Sequence, residues 1–386
     1  MSTDRNAGPV IIGAGMIPMG KHFQSSYPGL AMPAVREALA SSDIEVPEVQ
    51  RVYCGHSFGG MLTAQRIGKA VGLGTIPMIN VDNACSGGAT ALHLAAADIQ
   101  AGRADVVLVI GVDKLTQFGK GTLPLVEEDP EVARGMVMPA LYAMRARRFL
   151  HERNEQPEIL AQVSVKARRH GTENPFAQLR GHTTVEEVLA SRPIADPLTL
   201  FQCCPTGDGA AAVVLVSEAY FRRRRRPGIR ITASVLHSGQ ATSGFRDMLT
   251  PEITYDSARE AYETAGVGPD DLDVVELHDA FTIAELIYYE ALGLCERGGA
   301  ADLLRSGQTT YGGKVVVNPS GGLLAKGHPV GASGVAQAVE VFWQLTGRAG
   351  KRQVPDARIA LSHVTGGGIS GMDHGACTVH LYEAVA

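Results

Sequence analysis

The sequence predicts an α/β protein: buried sheets covered by helices, in two halves that echo one another, with an insert inside the first. Three observations lead there. Short apolar runs alternate with helical stretches along the chain. The runs are apolar at successive positions, as in strands buried on both faces. The order of motifs in the first part also returns in the second.

In the first series, strand-like runs fall at residues 10–13, 51–54, 76–81, 104–112 and 209–216. Residues 76–81 read as a short buried strand, and Thr90-Ala-Leu-His-Leu-Ala-Ala-Ala-Asp-Ile99 as a helix stopped by Gly102. A second series runs through residues 229–235, 273–278, 314–317 and 358–364. Asn83-Ala-Cys-Ser-Gly-Gly88 is followed by that helix and by the strand Asp105-Val-Val-Leu-Val-Ile-Gly111. Asn318-Pro-Ser-Gly-Gly322 is followed by a loop holding His328, a helix, and the strand Ala357-Arg-Ile-Ala-Leu-Ser-His363. The matching order reads as an internal duplication. Residues 1–114 plus 209–221 form one half and residues 222–386 the other. Residues 115–208, with Met136, Met138, Tyr142 and Met144, are the source of a lid over a pocket, although a methionine stripe more often serves packing. The run Arg222–Arg226 before Pro227 reads as a solvated hinge between the halves.

Bulk properties narrow the function classes. A chain of 386 residues holds two domains or one large layered unit. Charged residues are 19% and the net charge is −5, so no nucleic-acid partner is implied. The 45 glycines exceed an average usage of roughly 7% and cluster in motifs, as backbone turned tightly around ligands does. The first residues lack the layout of a signal peptide, and the longest apolar runs, residues 106–112 and 210–216, are too short to span a bilayer. Six cysteines in such a chain read as reduced thiols. The expectation is a soluble, cytoplasmic enzyme.

Several motifs do not carry chemistry. Gly13-Ala14-Gly15 starts like a dinucleotide fingerprint, but Pro18 interrupts the helix and the next glycine, Gly20, falls late. Gly55-His56-Ser57-Phe58-Gly59 matches a hydrolase nucleophile elbow, yet too few strands precede Ser57. It stays as a minor alternative. Cys203-Cys204 has no partner cysteines at metal spacing, and no His, Cys and carboxylate cluster suggests a metal.

Cys85 is the best candidate. It stands where an apolar strand hands over to a small-residue helix, so unpaired N–H groups and the helix dipole favour its thiolate. Most cysteines are only small buried hydrophobes. Three further segments decide otherwise. Gly327-His328-Pro329 sits in a glycine-bracketed loop ahead of a helix, and the proline keeps His328 out of helical geometry. His278 ends a strand in Glu276-Leu-His-Asp-Ala-Phe281. His363-Val-Thr-Gly-Gly-Gly368 ends the last strand in backbone that approaches a ligand closely. A nucleophile, a base and oxyanion donors are what acyl transfer through a thioester needs.

These motifs, with Cys204-Pro-Thr-Gly-Asp-Gly209, resemble the thiolase superfamily over essentially the whole chain, and within it the branch of the sterol-carrier-protein thiolase domain. The resemblance implies a five-layered α-β-α-β-α fold with residues 115–208 as lid, a homodimer or tetramer, and acyl-coenzyme A as substrate with no other cofactor. Some relatives of this branch act with a small OB-fold partner protein. It implies that Cys85 accepts the acyl group and that His328 takes its proton. His278 stands where most thiolases carry an asparagine that completes the first oxyanion hole. The N–H groups of Cys85 and Gly366 match the second. Gly367, Ser333 and His363 complete the expected oxyanion and substrate-binding set.

One departure matters. Where thiolases keep a second cysteine for the α-carbon proton, this chain has Val364 and Ala280, while Cys377 lies too far along to align. His278 is the best substitute and His363 the runner-up. The expected function is therefore a thiolase-like acyltransferase making or breaking a carbon–carbon bond. Alternatives are a non-standard C-acyltransferase, a retro-aldol lyase on a coenzyme A ester, or a lapsed acyl-coenzyme A-binding protein.

Overall fold

The computed structural model describes residues 8–119, 123–125, 129, 131–224, 226–240, 246–368 and 374–385. The first half contains β1 (Val10–Met16), α1 (Tyr27–Ser42), β2 (Arg51–Gly55), α2 (Thr63–Val71), β3 (Met78–Val81), α3 (Gly87–Gln100) and β4 (Val106–Lys114). The insert adds helices α4 (Met138–Glu152), α5 (Glu158–Thr172) and α6 (Val185–Ala190), then a ribbon of β5 (Pro193–Ala195) and β6 (Leu198–Thr199). Strand β7 (Asp208–Val216) closes that half, and α7 (Glu218–Arg224) leads out of it.

The second half repeats the plan. It contains β8 (Gly228–Ser238), α8 (Glu252–Ala265), β9 (Val274–Glu276), α9 (Thr282–Ala291), α10 (Ala300–Arg305) and β10 (Val316–Val317). The short α11 (Gly322–Lys326), α12 (Val330–Leu345), β11 (Ile359–Gly366) and β12 (Ala376–Val385) follow.

The strand orders are β3-β2-β4-β7-β1 and β10-β9-β11-β12-β8. In each, the first three strands are parallel and the last two antiparallel. Equal topology in both halves is the duplication seen in the sequence. The two sheets join edge to edge through β1 and β8, at Val10↔Arg230 and Ile11↔Ile229.

Five layers result. On β4, Leu108 and Ile110 face a core shared with α1 and α2, while Val107 and Val109 face one shared with α3 and α12. That alternation is the period-2 geometry of a strand buried on both faces. The second sheet has α3 and α12 on its inner side and α8 and α9, with insert helices α4 and α5, on its outer side. As part of the central layer, α12 is buried all round.

Three sequence expectations change. Strand β12 was missed altogether. The run at residues 76–81 is the edge of the sheet, and only Val81 of β3 is buried. The arginine run, read as a solvated hinge, is partly helical: Arg222, Arg223 and Arg224 close α7 with the first two exposed, Arg226 pairs with Asp43 at 3.0 Å, and Arg225 lies outside the described residues. Among the described residues no helix is long and apolar enough to cross a membrane.

The starts of α3 and α12 meet the ends of β2 and β4 backbone to backbone. A Cβ on Gly88 would stand 2.4 Å from Gly331 O, and one on Gly111 2.6 Å from the same oxygen. A Cβ on Gly331 would meet His56 Cα at 2.4 Å, and one on Gly55 would meet Gly88 Cα at 2.5 Å. None of these contacts is with a flexible side-chain end. We expect Gly331→Ala to cost about 1–3 kcal/mol or more through overpacking, read as a lowered denaturation midpoint at unchanged m-value. A parental midpoint would show that the helices have room to separate.

Candidate active site

Strand β3 hands over to α3 through Asp82-Asn83-Ala84-Cys85-Ser86. Ala84 has a left-handed backbone, φ +47°, which a non-glycine residue adopts only when its surroundings hold it there. The holding bonds are Ala84 N–H to Asp82 Oδ1 at 2.9 Å, Ser86 N–H to Asn83 O at 3.0 Å and Gly87 N–H to Ala84 O at 2.9 Å. This tight turn places Cys85, half-buried as a residue, two residues ahead of the helix.

His328 stands two residues ahead of α12, after Gly327 at φ +108°. Its Nε2 lies 3.2 Å from Cys85 Sγ, and its Nδ1 lies 2.7 Å from Ser333 Oγ. The Ser333 hydroxyl donates to Pro329 O at 3.0 Å, so its oxygen accepts from His328 Nδ1–H. That tautomer leaves a lone pair on Nε2, pointed at the thiol.

The charge state differs from the thiolate expectation. Burial pushes the Cys85 thiol up to about 11, partly offset by hydrogen bonds from the N–H groups of Gly367 and of Cys85 itself, with the Asp113 carboxylate adding to the rise. Burial, then the neighbouring Lys326, brings His328 down to about 4. At neutral pH the pair rests as thiol and imidazole, because burial outweighs the favourable field of the helix start.

His278 packs its ring edge-on to His328, with centroids 5.0 Å apart. Its buried Nδ1 has no hydrogen-bond partner. Burial first, then the His328, His363 and His374 rings, hold its pKa well below the usual histidine range. One donor atom each of Cys85, His278 and His328 lies within 4.8 Å of the others. This is a Cys and His cluster that sequence spacing gave no sign of.

Gly366 has to be glycine: a Cβ there would stand 2.7 Å from Ser86 N and nearer still to Asn83 O. The next residue, Gly367 at φ +64°, directs its N–H at the sulfur. Thus the N–H at the resting thiol is that of Gly367 rather than Gly366. The Nδ1 of His374 donates to Gly367 O at 2.7 Å, which leaves its Nε2 to accept from Tyr142 OH at 3.2 Å and Tyr288 OH at 3.3 Å. Tyr142 comes from the insert and stacks on Phe281 at 4.5 Å, so the lid is bonded to the glycine run.

Two residues of the expected substrate-binding set are held by protein contacts. Ser333 is buried behind His328 and orients it. His363 faces away from the thiol, its Nε2 3.0 Å from Thr254 Oγ1 and its ring edge-on to Tyr288 at 4.5 Å. Burial, then His374, lowers its pKa to about 3. The elbow serine has no base: Ser57 Oγ donates to Asp82 Oδ1 at 3.0 Å, while the His56 ring bonds Asn80 at 3.1 Å.

Sequence reasoning also missed Asp113, at the end of β4. Its buried carboxylate accepts N–H bonds from Ser57 at 3.0 Å, Phe58 at 3.0 Å and Gly331 at 2.7 Å, and the Tyr27 hydroxyl at 3.2 Å. It therefore ties the loop after β2 to the start of α12. A polar residue closing an apolar strand was the available signal.

Two copies of one αβ unit in five layers, with a thiol and a histidine heading the two central helices, define the architecture of a thiolase. Residues 9–219 match the family Thiolase, N-terminal domain, and residues 234–375 the family Thiolase C-terminal domain-like. The chain belongs to the thiolase family. It is 44% identical to the benzoylsuccinyl-CoA thiolase subunit BbsB of Thauera aromatica, over 95% of this chain and 97% of that one. It is 38% identical to sterol carrier protein 2 of Homo sapiens, over 97% of this chain and 71% of the relative. Among solved structures it is similar to an Ltp2-ChsH2(DUF35) aldolase, with 25% identity, TM-score 0.84 and 98% of each chain covered. It shares the fold of human mitochondrial 3-ketoacyl-CoA thiolase, with 18% identity, TM-score 0.74, and 99% of this chain and 100% of that one covered. It is a thiolase-type acyltransferase of acyl-coenzyme A.

Because the thiol is held up at about 11, alkylation of Cys85 by iodoacetamide should speed up with pH through 8–10, following the thiolate fraction. A rate that levels off below pH 8 would mean that the helix start outweighs burial.

Proposed function

We propose that Cys85 carries the acyl group in a two-step exchange. Supporting this most is the 3.2 Å approach of its sulfur to a His328 nitrogen whose lone pair is fixed by Ser333. In the first step the sulfur attacks the thioester carbonyl while His328 Nε2 takes the thiol proton. As the tetrahedral intermediate collapses, coenzyme A leaves as its thiol, taking that proton back. The N–H groups at Cys85 and in the Gly366–Gly367 run are placed to hold the acyl-enzyme oxygen, and the first oxyanion falls to His328 with His278. In the second step the α-carbon of another thioester loses a proton to a base and attacks the acyl-enzyme; the carbon–carbon bond forms, the acyl bond to Cys85 breaks, and the released sulfur takes up the proton. The reverse sequence cleaves it.

The base for the α-carbon proton is His278, for neither Ala280 nor Val364 can carry a proton. Its position in the cluster favours this choice, while the His363 Nε2 is engaged with Thr254. A second reading, a retro-aldol lyase working with an OB-fold partner, draws support from the TM-score of 0.84 to a two-protein aldolase. The name of the Thauera relative, a subunit, points the same way on partnership. We place the reaction in the cytoplasm, with a homodimer or tetramer as the working form and coenzyme A as the only small-molecule co-reactant. Six cysteines, none of them joined in a disulfide, suit a reducing compartment. The edge strand β3, with the exposed Met61 and Leu62 just ahead of α2, suits association.

Intact-mass measurement after incubation with a panel of acyl-coenzyme A esters should show one acyl adduct, absent from Cys85→Ala. His328→Ala should slow its formation on the order of 10²-fold or more while coenzyme A binding changes little. Adducts that persist in Cys85→Ala would overturn the assignment of the nucleophile.

Deuterium exchange at the α-carbon of a bound acyl-coenzyme A should be lost in His278→Ala and kept in His363→Ala and Cys377→Ala. No exchange in the parent, with acylation intact, would favour the lyase or an acyltransferase whose carbon nucleophile arrives already activated.

A further inference from the structure

Cys85, His278 and His328 come from segments far apart in sequence, yet a donor atom of each lies within 4.8 Å of the other two. One sulfur and two imidazole nitrogens form a donor set suited to a borderline-soft divalent cation. With Zn–S and Zn–N bonds of roughly 2.3 and 2.0–2.1 Å, tetrahedral zinc keeps neighbouring donors roughly 3.3–3.6 Å apart. Cys85 Sγ and His328 Nε2 are already at 3.2 Å.

Three features of the shell around the cluster suit a metal. The Ser333 hydroxyl holds His328 Nδ1–H at 2.7 Å, leaving the Nε2 lone pair free toward the sulfur. Fixing one ring N–H by a neighbour is how a coordinating histidine is usually oriented. The buried Nδ1 of His278 has no protein partner, so no hydrogen bond from that nitrogen holds the ring away from the cluster. Cys85, taken as a residue, is half-buried rather than fully enclosed.

We propose that this cluster is a trap for Zn2+ or Cd2+: one ion binds Cys85 Sγ, His278 and His328, and while bound it blocks acylation. On binding, the thiol releases its proton to solvent and the sulfur lone pair becomes a metal bond. Both imidazoles bind through a neutral nitrogen and keep their other N–H. Water or chloride takes the fourth position, and nothing is oxidised or reduced. The nucleophile and its base are withdrawn together, so inhibition is complete at one ion per site and is reversed by a chelator.

The test titrates chelator-treated full-length protein with Co2+ as the spectroscopic probe, then displaces it with Zn2+. We expect one equivalent, a thiolate-to-cobalt charge-transfer band in the near ultraviolet, and release by Zn2+. The band should vanish in Cys85→Ser. Affinity should fall at least ~10-fold in His278→Ala and on the order of 10- to 100-fold in Ser333→Ala, a loss typical of removing a ligand's own hydrogen-bond partner. His237→Ala, on the surface beside Glu260, should bind as the parent does. Parent protein carrying a single carbamidomethyl group on Cys85 gives the same answer without any substitution, should Cys85→Ser fold poorly. One-equivalent binding that survives in Cys85→Ser or in the alkylated parent, or no binding up to millimolar Co2+ and Zn2+, overturns the proposal. Since no acyl ester is present, this outcome is separate from whether Cys85 forms an acyl-enzyme.

Discussion

Contact between bare backbones at Gly55, Gly88, Gly111 and Gly331 is the constraint on which the rest of this molecule depends. With no Cβ to hold them off, the first turns of α3 and α12 settle onto the ends of β2 and β4 and onto one another. Asp113 then fixes that meeting with N–H bonds from both sides of it. The 3.2 Å separation of sulfur and imidazole follows from this, since Cys85 and His328 are each only two residues from the helix starts so placed. Separating the helices by the width of a methyl group would move the sulfur out of reach of the imidazole, whatever the local turns did.

The same closeness shapes the chemistry. Packing that brings the pair together also removes water from it, and desolvation favours uncharged forms. The thiol at about 11 and the imidazole at about 4 are the result. In the proposed reaction, proton transfer waits for a thioester, whose developing oxyanion supplies the charge separation that the resting site resists. Lys326, paired with Glu276 at 3.2 Å beneath the loop, disfavours the imidazolium further.

Much of the fold was legible because nearly every strand is apolar at successive positions. Strand β12 was not. Its inner face carries Thr378 and His380, which bond Ser86 Oγ at 3.1 Å and Ala89 O at 3.2 Å, so a run broken by polar residues is in fact buried from Ala376 to Tyr382. At the site, Cys85 and His328 could be read from local signals, a strand-to-helix turn and a histidine before proline. Ser333 was expected in the substrate-binding set, and in the structure its hydroxyl meets a ring five residues earlier. Asp113 and His374 depend on contacts with segments tens to hundreds of residues away, which local pattern does not encode. The electrostatic state was misjudged for a similar reason: a helix start is visible in sequence, while the depth at which it is buried is not.

Cys85 before α3 and His328 before α12 occupy matching places in the two repeats. Had the repeats remained separate, identical chains pairing about an axis, both places would have had to hold the same amino acid, giving two thiols or two imidazoles facing each other. Fusing the copies into one chain lifts that requirement. Each repeat's loop is then free to change independently, and an acid–base couple made of unlike members becomes available at a point where symmetry alone would forbid it.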